Sequence, residues 1–201
     1  MVERPSVETA SENLRYIRRT LEAAGQFTAV PGRSMAAVGA VALAGAAAND
    51  LVTGTPWGDS LSPATALQVW GTVLAISLAV VLGGVYRKAR LTGVAIQAPL
   101  IRKLLWSLCP ALLLGAVLTN RAIDLRQFAW LPAIWLGCYG AAMTSAGQVS
   151  IVPLRYLGVC LLMCAAGAAA APPETGLIWM AAGFGWLHLA FGLYVAWRYD
   201  D

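Results

Sequence analysis

The chain has 201 residues and a mean hydropathy of +0.66; 59% of it is hydrophobic and 12% charged. A water-soluble domain carries roughly 25% charged residues, and a disordered chain is richer still in charge and poorer in apolar residues. Both classes are excluded, so the formal charge of +4 belongs to an integral membrane protein.

The first 33 residues are polar and hold no apolar run, so a cleaved signal peptide is not expected. Thr9-x-x-Glu12 matches a capping box. Leu14, Ile17, Leu21 and Ala24 recur at helical spacing, Arg15, Arg19 and Glu22 lie opposite, Arg18 sits at the border, and Gly25 supplies a stop. The pattern predicts an amphipathic helix over 7–24 on the membrane surface. That helix either seals the bottom of the bundle or docks a protein partner. Residues 1–33 read as a cytoplasmic tail, and 34–201 as one transmembrane bundle.

A bilayer core of ~30 Å takes about 20 apolar residues per helix. Six segments qualify: 34–52, 67–86, 100–118, 128–147, 154–171 and 177–197. The fold class is therefore all-α, with six transmembrane helices after an amphipathic interfacial one. In the first span Ala36, Ala40, Ala44 and Ala48 fall at every fourth position, which predicts a close-packing face. Pro110 in the third predicts a kink. Such small-residue faces serve a tight bundle or a homo-oligomer contact equally well. The second, fourth and sixth spans each carry a tryptophan in the outer half, Trp70, Trp135 and Trp179. Shared bilayer anatomy explains that recurrence as readily as an internal repeat does.

Basic residues fix the orientation. Arg4, Arg15, Arg18, Arg19 and Arg33 precede the first span, and Arg87, Lys88, Arg90, Arg102 and Lys103 lie between the second and third. With Arg155 and Arg198 they fall on one side, leaving Arg121 and Arg126 on the other. Both termini are expected in the cytoplasm. Because these cations flank apolar spans, their partners are membrane lipids rather than nucleic acid. Trp57, Trp70, Trp130 and Trp179 are expected in the outer aromatic belt.

Mid-membrane chemistry is sparse. Ser77, Cys109, Cys138, Tyr139, Cys160, Met163, Cys164 and His188 fall near the span centres, with no charged residue among them. Ionisable groups at that depth are functional candidates. Gly185, His188 and Gly192 follow i, i+3, i+7, which predicts one shallow groove with an imidazole inside it. His188 then has three readings: a hydrogen bond to the fourth span at Tyr139, Thr144 or Ser145; a pocket for a lipid or small molecule; or haem or metal ligation. Cys160 and Cys164, at i, i+4, form a soft-metal pair or simply pack as small hydrophobes. No metalloprotease, nucleophile-elbow or P-loop motif occurs, and no cofactor is required by the sequence. Asn49, Asp50, Asp59, Asn120, Arg121, Asp124 and Glu174 gather at the outer surface as a solvated rim.

The stretch 12–32, ENLRYIRRTLEAAGQFTAVPG, and the ending 183–198, GFGWLHLAFGLYVAWR, resemble the opening and last span of six-span bacterial integral membrane proteins of no established activity. That resemblance implies a bacterial inner-membrane protein and carries no site with it. The leading expectation is a non-enzymatic subunit or partner-regulated membrane component. The alternatives are a small-molecule or lipid carrier with its site at His188, and a haem- or metal-binding redox protein.

Overall fold

The computed structural model describes residues 30–53, 57, 63–92 and 98–199. The predicted amphipathic helix, with Leu14, Arg15, Ile17, Arg18, Arg19 and Leu21, lies outside the described residues, as does Asp59. Among the described residues the elements are helical. They are α1 (Gly32–Thr53), α2 (Pro63–Thr92), α3 (Ala98–Asp124), α4 (Leu131–Ala146) and α5 (Val152–Ala170), followed by α6. This last helix has three consecutive parts: α-helical Gly176–Met180, π-helical Ala181–Leu187 and α-helical His188–Tyr199. The sequence pattern did not announce the π-helical part.

Among the described residues, five stretches are long and apolar enough to cross a membrane: Gly32–Val52, Ala64–Lys88, Arg102–Asp124, Val152–Ala170 and Pro173–Arg198. The fourth predicted span is a helix of 16 residues, preceded by a single 3-10 turn, Phe128–Trp130. Pro110 sits inside α3, and the helix continues through it.

Neighbouring helices run antiparallel, and glycines set their spacing. Added Cβ atoms at Gly32 and Gly192 would strike the backbone of Ala196 and Ala36, which brings α1 into backbone contact with the end of α6. A Cβ at Gly140 would lie 3.0 Å from the Gly158 carbonyl oxygen, and one at Gly147 would strike Arg155, so α4 and α5 are equally close. In hydrocarbon, packing rather than water expulsion drives helix association, and close backbones maximise it. The main pairings are α4 with α5, α1 with the C-terminal part of α6, α3 with α4, and α1 with α2. Only 6% of the apolar window of α2 is buried, and 6% of that of α3, against 39% for α1. These two helices form the edges.

The contact face of α1 is not the predicted alanine stripe. Met35, Ala36, Gly39, Ala42, Gly45, Ala46 and Asn49 are buried, whereas Ala40 and Ala44 are exposed. Steps of four residues advance 400° and drift around the helix by about 40° each, since a turn takes 3.6 residues. A contact face alternates steps of three and four instead. Asn49, expected on the solvated rim, is fully buried.

Two of the four tryptophans expected in the belt turn into the protein, while Trp130 stays 51% exposed. Trp57 is 1% exposed and Trp70 6%, and both belong to a core with Ala46, Ala66, Ala122, Phe128, Leu131 and Met180. A second core, with Val30, Leu136, Leu154, Leu157, Leu161 and Val195, occupies the other end. Phe184, in the π-helical part of α6, packs against both.

Candidate functional site

His188 lies at the junction of the π-helical and α-helical parts of α6 and is 2% exposed. Its Nδ1 is 3.0 Å from the carbonyl oxygen of Gly183, five residues earlier. A carbonyl only accepts, so Nδ1 carries the proton and donates. In the neutral ring Nε2 is then an acceptor, and the Tyr139 hydroxyl, 3.2 Å away, donates to it. Five residues is the hydrogen-bond separation of a π-helix. Here the donor is the side chain rather than the backbone N–H, and the acceptor, Gly183, belongs to the π-helical part of α6.

The π-helical part of α6 separates the predicted groove. Gly185 and Gly192 face α1, where added Cβ atoms would meet Leu43 and Ala36, whereas His188 reaches α4 through Tyr139. The i, i+3, i+7 spacing presumes 3.6 residues per turn throughout. The wider π turn between Gly185 and His188 alters it.

Rings surround the pair. Tyr139 stacks on His188 with centroids 5.5 Å apart, and Phe184 lies 6.2 Å from His188 and 5.6 Å from Tyr139. The series continues from Phe184 to Trp70 at 6.2 Å, Trp70 to Trp135 at 6.5 Å and Trp135 to Trp57 at 6.2 Å. Each separation is within the range of a favourable aromatic pair. Trp57 Nε1 donates to the Phe128 carbonyl at 3.1 Å and Trp135 Nε1 to Thr119 Oγ1 at 2.9 Å. Trp70 Nε1 has no hydrogen-bond partner among the described residues. An aromatic column thus ties α2, α4 and α6 together from the turn at Trp57 to the buried histidine.

Of the predicted residues, the structure brings His188 and Tyr139 together and sends Gly185 and Gly192 to α1. Cys160 and Cys164 are free and partly buried on α5, and Cys164 packs against the core that holds Leu157 and Leu161. No group of three or more His, Cys, Asp and Glu occurs among the described residues. The sequence reading missed Gly183, Phe184, Trp70 and Trp135 as companions of His188. The recurrence of tryptophan at one depth on three spans was the available signal. No family model, curated protein or solved structure matches the chain.

Proposed function

We propose that the chain is a six-span, non-enzymatic component of a bacterial inner membrane, with both termini in the cytoplasm and His188 acting as an internal lock. One observation carries the reading of His188: both imidazole nitrogens are engaged inside the chain, by Gly183 and Tyr139. An axial haem or metal ligand needs one of them free.

The six-span count rests on length. The 16 residues of α4 rise about 24 Å at ~1.5 Å each, and the 3-10 turn of 3 residues adds about 6 Å at ~2.0 Å each. Together they match a hydrocarbon core of ~30 Å. Orientation rests on charge. The antiparallel helices gather Arg33, Arg87, Lys88, Arg90, Arg102, Lys103, Arg155 and Arg198 at one end, with Arg121 and Arg126 at the other.

Purification from native membrane in mild detergent tests the assignment. The expected result is a preparation without a Soret band and with a protein that co-purifies stoichiometrically. A Soret band in the wild type that disappears in His188→Ala would replace this reading with haem ligation. Isolation of the chain alone, with no protein retained, would refute the subunit role.

A further inference from the structure

We propose that an open groove between α5 and the C-terminal part of α6 binds an anionic phospholipid. The groove has a volume of about 440 Å³ and is lined by Val152, Pro153, Tyr156, Ala190, Phe191 and Tyr194. That is within the ~300–1,000 Å³ of ordinary ligand sites.

Its origin is mechanical. The glycine contacts at Gly32, Gly39 and Gly192 draw the end of α6 onto α1. Those at Gly140, Gly147 and Gly158 draw the start of α5 onto α4. The two helices part company where each follows its own partner, and the wedge between them is the groove. It lies on the lateral surface of apolar helices, so the molecule that reaches it is a lipid of the surrounding leaflet. Val152 is 44% exposed there, Tyr156 57% and Tyr194 48%.

Charge selects the lipid. Arg155 follows Pro153 and Leu154 on α5, and its guanidinium carbon lies 5.8 Å from the Tyr156 ring centroid. Arg198, exposed, stands one helical turn beyond Tyr194. The carboxylates on the described helices, Asp50, Asp124 and Glu174, sit at the opposite end of the bundle, while Asp200 and Asp201 follow Arg198 in the sequence. An acyl chain therefore lies against Val152, Pro153, Ala190 and Phe191, the tyrosines flank it at the interface, and the phosphate meets the two arginines. Basic pockets between helices recognise lipid headgroups in this way.

Native mass spectrometry of the full chain, released from micelles doped with equal phosphatidylglycerol and phosphatidylcholine, tests the site. The wild type should retain phosphatidylglycerol in preference, by about fivefold for each arginine. Arg198→Gln, at an exposed position, should lower that preference about fivefold, and Arg155→Gln/Arg198→Gln should abolish it. Ala190→Trp fills the groove from an exposed position, leaves both arginines in place, and should reduce retention of both lipids. Excess inorganic phosphate should not displace the lipid, because the acyl chain supplies much of the binding. Equal retention of the two lipids by the wild type would overturn the proposal. So would lipid retention that is undiminished in Ala190→Trp, which would place the lipid elsewhere, or displacement by phosphate alone.

Discussion

Replacing His188 with alanine deletes a buried ring, its two hydrogen bonds and its stacking on Tyr139. The expected loss is about 1–3 kcal/mol, from the cavity and the stranded Tyr139 hydroxyl. Tyr139→Phe keeps the ring and should cost about 0.5–1.5 kcal/mol. Because the two residues share one bond, the double variant should lose less than the sum of the singles, as read from thermal unfolding in detergent. Strict additivity would show that the hydroxyl and the imidazole do not interact. Among the described residues, Arg126 is at odds with its backbone, with φ at 56°. The Arg126 N–H bonds the Ile123 carbonyl at 3.0 Å and the Gln127 N–H bonds the Ala122 carbonyl at 2.8 Å, the pair of bonds that closes α3 as a Schellman motif. Glycine is favoured at that left-handed position. The Arg126 side chain is exposed, so Arg126→Gly should raise the melting temperature by about 2–4 °C. The histidine and tyrosine were legible in the sequence because polar atoms within apolar spans are few. Phe184 and Trp70 were not, since an aromatic in an apolar run reads the same whether it faces lipid, core or an imidazole.

At the level of elements, each of the six predicted stretches is helical, and all but the fourth are long and apolar enough to cross a membrane, because length and apolarity are properties of a contiguous stretch. The faces were harder. The alanine stripe of α1 pointed to Ala40 and Ala44, which are exposed, because residue size alone does not reveal which backbone comes close. The π-helical part of α6 was invisible, since AAGFGWL is equally suited to an α-helix. Glycine, likewise, marks contact only in context. A Cβ at Gly192 would lie 2.7 Å from Ala36 Cα, against backbone that cannot yield, whereas one at Gly83 meets nothing within 4 Å. Gly192→Ala should therefore destabilise by roughly 1–3 kcal/mol by forcing α1 from α6. Gly83→Ala should be neutral or stabilising by about 0.5–1 kcal/mol through helix propensity. Denaturant titration of the two proteins side by side reads the contrast, and equal losses would mean that the α1–α6 contact is looser than drawn.

For the whole molecule, the cationic end and the aromatic column make the two faces chemically distinct. Lys88 Nζ donates to the Val30 carbonyl at 3.1 Å, tying the end of α2 to the entry of α1. Arg90 lies 4.8 Å from the Tyr86 ring centroid, where the cation–π contact anchors the helix end. At the opposite end Glu174 sits in the short turn Pro173–Thr175 before α6, and Thr175 Oγ1 donates to the Pro172 carbonyl at 2.7 Å. If cations remain on the cytoplasmic side, Glu174 faces outward and Arg90 inward. Glu174→Cys should react with a membrane-impermeant thiol reagent on intact cells. Arg90→Cys should react only after the membrane is opened. The native cysteines, Cys109, Cys138, Cys160 and Cys164, lie within apolar helices and should contribute little background with a charged reagent. Labelling of Arg90→Cys in sealed cells, with Glu174→Cys protected, would invert the bundle. Equal labelling of both would place the two loops on one side, which an odd number of crossings between them forbids: α3 through α5 would then contain two spans, with α4 a partial insertion rather than a full crossing.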